Sequence, residues 1–463
     1  METRLEKDSV GALEIPADAY YGVQTYRAKV NFGITFLEQN EDFIKSLVQI
    51  KKAAALANHI EGSLDDEIFG AIDKACDYIL EGNLLDQFIT DPIQGGAGTS
   101  ANMNANEVIA NKALEIMGHG KGEYQYVHPN DHVNMCQSTN DVYPTAGKLT
   151  AIKLVNKTVG RLEHLLASLL RKSEEFKNIY KMGRTQLQDA VPVSLGGSFK
   201  AFASVLARDI ERIKKSVDEI SAVNMSGTAV GSCINASQGY HDNIIRCMNY
   251  VTGLNVRMAD DLVDATQDLD GFVFVSGAIK TCAVNLSKMC NDLRLMSSGP
   301  KTGFGEIILP ARQNGSSIMP GKVNPVIPEV VTQVAFNIIG NDVTITMAAE
   351  AGQLELNAFE PVLFYNLFEN INTLGRAAVT LADNCIDGIQ ANEEVCRRNI
   401  EKSAGIVTAL CPYIGYTKAA EIAKKVLASG KGAREYILEE GILTEEEVDK
   451  ILDPELLVHP IKD

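Results

Sequence analysis

No Cys-x-x-Cys pair occurs among the nine cysteines of this chain (76, 136, 233, 247, 282, 290, 385, 396 and 411), which are odd in number and widely spread. That pattern excludes a disulfide framework and a zinc ribbon, and the thiols read as reduced, mostly small and buried, in a cytoplasmic protein. The seven histidines show no His-x-x-x-His or Cys/His spacing, so no metal site is legible. Positive charge is in short supply: 43 basic against 60 acidic residues leave a formal net charge of -17. A field of that sign repels phosphate backbones and anionic lipid, which argues against nucleic acid and membrane surfaces as partners. The longest uncharged stretch, Ile220 to His241, is rich in Gly, Ser and Asn and reads as a loop rather than a membrane span. The opening METRLEKDSV is too charged for a signal peptide. Strand-like alternation is scarce, and there is no internal repeat or low-complexity tract.

What the sequence does contain is helix pattern. Of its 463 residues 45% are hydrophobic and 22% charged, enough for two or three domains with a sizeable core. From Leu149 to Leu169 the residues Leu149, Ile152, Val155, Val159, Leu162, Leu166 and Leu169 recur at three- and four-residue steps, one apolar stripe on a long helix. Similar long helices are predicted after Ala190, Leu262, Val330 and Phe359. The segment Val330 to Ala349 carries Asp342 as its one charge, and a helix so nearly uncharged must be buried on nearly every side. Several such helices in a chain of this size imply an oligomer with a shared helix bundle; the alternative is one large monomeric core. Short amphipathic pieces around 415 to 428 and 443 to 452 suggest a small helical domain beginning near Glu393.

Function should sit in the Gly/Ser/Asn/Thr-rich segments between the helices, at 93 to 106, 134 to 147, 183 to 197, 224 to 240 and 311 to 325. The most informative is G315-S-S-I-M-P-G-K-V-N-P325. Two serines behind a glycine present hydroxyls and N–H groups, Lys322 brings a positive charge, and Asn324-Pro325 opens the next helix, whose N-terminus favours anions. In G95-G-A-G-T-S-A-N-M-N-A-N-E107, Thr99 and Ser100 enter a helix. In H132-V-N-M-C-Q-S-T-N-D-V-Y-P-T145, Ser138, Thr139 and Asn140 precede another helix, whose first turn Pro144 fits. Uncharged donors at helix starts suit a carboxylate that gains charge during a reaction. The same residue types cap helices everywhere, so either loop alone reads as well as a cap.

Together with K181-M-G-R-T-Q-L-Q-D-A190, these loops resemble the signatures of the fumarase and aspartase superfamily, collinear from Y20-Y-G-V-Q-T-Y-R27 to K402-S-A-G405. Within it, I-Q-G-G-A-G-T-S at 93 to 100 and E-A-G-Q-L-E-L-N at 350 to 357 look like the aspartase branch. The resemblance implies an all-α, three-domain lyase fold. Its parts would be an N-terminal helical domain at 1–138, a central long-helix bundle at 139–392 shared in a homotetramer, and a small C-terminal helical domain at 393–463. It implies reversible elimination of ammonia from L-aspartate to give fumarate through an aci-carboxylate, with active sites shared by three subunits and no organic cofactor. Ser316 is then the expected base, and Thr99, Ser138, Thr139 and Ser317 bind the β-carboxylate. Lys322 and Asn324 bind the α-carboxylate, while Asn140, Thr185 and Gln186 lie by the amino group. Fumarases resemble this chain closely too, but they typically have histidine where Gln186 stands, paired with a glutamate that aligns with Glu329. A structural protein that has lost its activity is a further alternative, against which the intact Ser316, Lys322 and Asn324 set argues.

Overall fold

The computed structural model describes residues 2–458, and helices dominate it. In the first half of the chain they are α1 (Val23–Asn31), α2 (Glu41–Ile60), α3 (Asp66–Leu80), α4 (Thr99–Ile116), α5 (Thr139–Glu175), α6 (Leu195–Ser216) and α7 (Gln238–Thr252). There follow the single turn α8 (Asp264–Gln267) and the long α9 (Asp270–Met296), α10 (Val326–Glu350) and α11 (Glu360–Asn384). The chain ends in α12 (Glu393–Lys402), α13 (Cys411–Ile414), α14 (Tyr416–Ser429), α15 (Ala433–Glu439), α16 (Glu445–Ile451) and α17 (Pro454–Val458). Strands occur only as two-stranded pairs among the described residues. They are β1 (Thr3–Lys7) with β2 (Ala12–Pro16), β3 (Tyr180–Thr185) with β4 (Gln188–Ser194), β5 (Ala222–Val223) with β6 (Arg257–Met258), and β7 (Ile307–Ile308) with β8 (Gln390–Ala391).

The helix starts are written in the sequence. Asn40 accepts the N–H groups of Asp42 and Phe43 to cap α2, Asp65 accepts that of Ile68 to cap α3, and Thr444 with Glu447 forms a reciprocal capping box on α16. On α5 the expected stripe is buried at Leu149, Ile152, Val155, Val159, Leu162 and Leu169, with Leu165 buried beside the half-exposed Leu166. Each such side chain contributes about 1.5–3 kcal/mol of hydrophobic stabilisation.

Two compact units form. The first gathers the chain up to Val159 with Glu211–Thr281 and Asn337–Leu374; the second gathers Gly160–Ile210, Cys282–Phe336 and the chain from Gly375 onward. The core of the first unit holds an aromatic cluster in which Phe364 meets Phe272 edge-on at 5.0 Å and stacks with Phe368 at 5.5 Å, while Phe43 meets Tyr143 edge-on at 5.1 Å. In the second unit, Met182 of β3 is buried with Ile400, Ile406, Leu410, Ile422, Val426 and Ile437 of the C-terminal helices.

Two sequence expectations need correction. Segment 183 to 197 is not an open loop: β3 and β4 make an antiparallel hairpin before α6 begins. Pro144 is the sixth residue of α5, beyond its first turn. The burial expected of α10 in a shared bundle is not tested by one chain, in which Phe336, Val343 and Met347, spaced to share one face, are 63%, 57% and 66% exposed.

A Cβ on Gly147 of α5 would stand 2.1 Å from the Phe364 ring. We therefore predict that Gly147→Ala lowers stability by roughly 1–3 kcal/mol through overpacking. The denaturation midpoint measures it, and an unchanged midpoint contradicts the packing described.

Candidate active site

In the first unit two helix starts are brought together. Gly98, with φ +86, offers no side-chain cap to α4, and a Cβ there would lie 2.3 Å from the ring of Tyr143 in α5. Glycine thus meets both the left-handed backbone and the close approach. Thr99 begins α4, exposed, its hydroxyl donating to the Gly96 carbonyl at 2.8 Å. Ser138 caps α5, its Oγ accepting the Asn140 N–H at 3.3 Å, while its own N–H donates to Asp141 Oδ1 at 2.9 Å. Thr139 is buried, its Oγ1 accepting from Asn102 Nδ2 at 3.1 Å. The Asn140 amide donates to the Ala229 carbonyl at 2.7 Å. A cavity of about 710 Å³ lies over the α4 start, lined by Thr99 and Ser100 together with Lys7, Arg27 and His128.

Behind these starts lies a residue that the sequence reading missed. Lys51 of α2 is fully buried and donates to Asn134 Oδ1 at 2.7 Å and Gln137 Oε1 at 2.9 Å, in the loop leading into Ser138. Asn134 Oδ1 also accepts from Asn102 and Asn106 of α4, so one amide ties both helix starts together. Burial holds the Lys51 pKa down to about 7, against the pull of the Asp141 charge. Burial raises Asp141 to about 6, although it accepts N–H bonds from Ser138 and Thr228. The signal was available: Lys51 and Asn58 fall on the helical face of Leu47 and Ala54, a polar pair on an apolar stripe.

In the second unit the hairpin presents Thr185 and Gln186 at its tip, both exposed. Thr185 pairs with Gln188, so Gln186 and Leu187 form a two-residue turn, with φ values of 54 and 62. Such a turn wants Asn-Gly; each non-glycine residue held left-handed costs about 1–3 kcal/mol and persists where its surroundings hold it. Here the hold comes from Arg184, which donates to the buried Glu306 at 2.7 Å and lies 4.2 Å over the Phe304 ring. Asp189 on the other strand accepts from Ser403 at 2.8 Å.

The Ser316 loop of the same unit closes on itself. Gly315 N–H donates to the Lys322 carbonyl at 2.9 Å and Asn324 Nδ2 to the Gly315 carbonyl at 2.8 Å. Ser316 Oγ accepts the N–H groups of Met319 at 2.9 Å and Ile318 at 3.2 Å. Two N–H donors on one hydroxyl oxygen favour its ionised form, which a base requires. Ser317 and Lys322 are exposed, with Asn324 half-buried at the foot of α10. Thr99, Ser138, Thr139 and Asn140 thus belong to the first unit, and Thr185, Gln186, Ser316, Ser317, Lys322 and Asn324 to the second. Among the described residues no group of three or more His, Cys, Asp or Glu is placed to hold a metal ion, and no helix is long and apolar enough to cross a membrane.

A family model described as "Lyase" matches residues 11–340, and one described as "Fumarase C C-terminus" matches residues 406–459. The chain belongs to this lyase family. An aspartate ammonia-lyase from a Bacillus species is 52% identical over 459 residues, covering 99% of this chain and 98% of the relative. The Escherichia coli K12 aspartate ammonia-lyase is 49% identical over 460 residues, covering 99% and 96%. Among solved structures, a fumarate lyase:delta crystallin from Brucella melitensis bound to cobalt superposes with a TM-score of 0.96 at 50% identity, covering 98% of this chain and 99% of that one. A class II fumarase from Schistosoma mansoni gives a TM-score of 0.95 at 35% identity, each chain covered in full.

Lys51 sets a pH dependence whose sign is fixed. Its folded pKa of about 7 lies below the ordinary 10.5, so the cost of burying the charge is fully present below about 7. That cost is relieved as pH rises toward the unfolded value. We predict that the wild type gains stability relative to Lys51→Met between about pH 7 and pH 9. A difference in denaturation midpoint that stays constant with pH contradicts this.

Proposed function

We propose that this chain is an aspartate ammonia-lyase, catalysing reversible elimination of ammonia from L-aspartate to give fumarate. The observation that carries this reading over fumarate hydration is Gln186 at the hairpin tip. Hydroxide is a poor leaving group, so expelling it from malate needs a general acid, and adding water in reverse needs a general base. An amide is neither. The ammonium group of aspartate already carries its proton and leaves as neutral ammonia, so a side chain that only orients it suffices. The full-length identity of about half to curated aspartate ammonia-lyases, against 35% to the Schistosoma mansoni fumarase, supports the same choice.

On this reading Ser316, as alkoxide, takes the proton from the carbon beside the β-carboxylate. The electron pair moves onto that carboxylate as an aci-carboxylate dianion, then returns to form the double bond as the C–N bond breaks. Thr99, Ser138, Thr139 and Ser317 hold the β-carboxylate, supplying hydroxyl and helix-start N–H donors where charge develops. Lys322 and Asn324 hold the α-carboxylate, and Asn140, Thr185 and Gln186 lie beside the nitrogen. Ser316 must lose its proton near neutral pH, and each unit of depression needs about 1.4 kcal/mol of differential stabilisation. The two N–H donors on its Oγ and the nearby Lys322 act in that direction.

The working enzyme is a cytoplasmic homotetramer in which three chains supply each site, divided for function as 1–138, 139–392 and 393–463. The exposed apolar faces support this: Phe336, Val343 and Met347 on α10, and Phe274 and Val284 on α9, which are 57% and 47% exposed. In the assembly they would line the shared bundle.

Loss of fumarate absorbance should be rapid with ammonium present and negligible without it; equal rates would identify a hydratase instead. Ser316→Ala should lower kcat roughly 10²–10⁴-fold while leaving the tetramer intact, as expected for loss of a general base. Near-normal turnover would remove Ser316 from that role.

A further inference from the structure

The stretch 224 to 240 has no place yet in the reaction, although it touches Asn140. Pro144 has no N–H to offer the Asn140 carbonyl four residues back, and its ring crowds that carbonyl. The carbonyl accepts instead from Asn224 Nδ2 at 2.9 Å. Asn224 is fully buried, donates also to Thr266 Oγ1 at 2.9 Å, and accepts from the Thr145 hydroxyl at 3.4 Å. The same stretch fixes the Asn140 side chain, whose Nδ2 is committed to the Ala229 carbonyl at 2.7 Å. That bond fixes the amide's orientation and uses one of its two N–H donors, and Oδ1 is the acceptor it presents to a ligand. An ammonium group only donates.

The stretch is also strained. Ser226, Thr228, Cys233 and Asn235 have φ values of 76, 55, 58 and 64, a left-handed backbone that non-glycine residues keep only where their surroundings enforce it. One enforcing bond is from Thr228 N–H to Asp141 Oδ2 at 3.0 Å, within the same first turn of α5.

We infer that Asn224 is a positioning residue for the substrate nitrogen. By taking over the carbonyl freed at Pro144, it fixes the Asn140 residue itself so that Asn140 Oδ1 faces the amine. This rests on the placement of Asn140 beside the amino group. A residue that merely repaired the helix would affect both substrates of the reverse reaction alike, whereas a residue that aims an acceptor at nitrogen affects ammonium selectively.

The test is steady-state amination of fumarate by the full-length enzyme, its Asn224→Ala and Pro144→Ala variants, and the double variant. Asn224→Ala is expected to raise KM for ammonium roughly ten-fold, as for one lost buried hydrogen bond, with KM for fumarate changed less than about two-fold. Pro144→Ala returns an N–H to the Asn140 carbonyl, so the double variant should recover an ammonium KM within about two-fold of Pro144→Ala alone. That last comparison holds even if Asn224→Ala does not fold. Parallel rises in both KM values, or a double variant whose ammonium KM stays well above that of Pro144→Ala, overturn the inference while leaving the lyase reading standing. An unmodified enzyme that consumes no fumarate with ammonium overturns both.

Discussion

The site in the first unit depends on one contact, the approach of the α4 start to α5 where Gly98 lies against the Tyr143 ring. Any side chain at 98 would push the two helix starts apart, separating Thr99 from Ser138, Thr139 and Asn140. Around that contact the buried polar groups are tied by a single hub: Asn134 Oδ1 accepts from Lys51 of α2 and from Asn102 and Asn106 of α4, while the Asn134 amide donates to the Gln137 carbonyl. A network of this kind is costly to leave incomplete, so it specifies one arrangement rather than several.

That arrangement answers an electrostatic difficulty. A chain of net charge -17 must stabilise a substrate that gains a further negative charge on one carboxylate. Neutral donors and helix starts supply partial positive charge without adding an ion pair that must first be desolvated. Lys51 adds a further refinement: held near neutrality by its burial, it donates to the loop before Ser138 without bringing a fixed, fully solvated charge. On the proposed reading the one cation named at the substrate, Lys322, serves the carboxylate that does not change charge.

The long helices were legible in the sequence because their apolar residues recur at helical spacing or, on α10, because charge is nearly absent: α5, α6, α9, α10 and α11 all fall where the pattern placed them. The family signatures were legible because their loops are short and dense in Ser, Thr, Asn and Gly. The hairpin at 180 to 194 was not, since its two-residue turn uses Gln186 and Leu187 in place of glycine and is held from elsewhere by Glu306 and Ser403. The place of Pro144 was misjudged by a turn because the helix begins at Thr139 and tolerates the proline only through Asn224, a partner about eighty residues away. The exposed face of α10 reads from sequence as buried because apolarity reports what a helix face requires, and one chain alone does not supply it. Roles on the site, as opposed to its location, came from the resemblance rather than from spacing.

On the proposed reading the paired helix starts and their hydroxyls are built for the dianion rather than for the substrate. A nitro analogue of aspartate, with the nitro group in place of the β-carboxylate, ionises to a nitronate that carries the charge and planar geometry of the aci-carboxylate. Calorimetric titration of the enzyme with this nitronate and with succinate, a dicarboxylate of the same length, compares the two directly. The account predicts at least roughly 100-fold tighter binding of the nitronate, as for an analogue of the high-energy species. Equal affinities would contradict it.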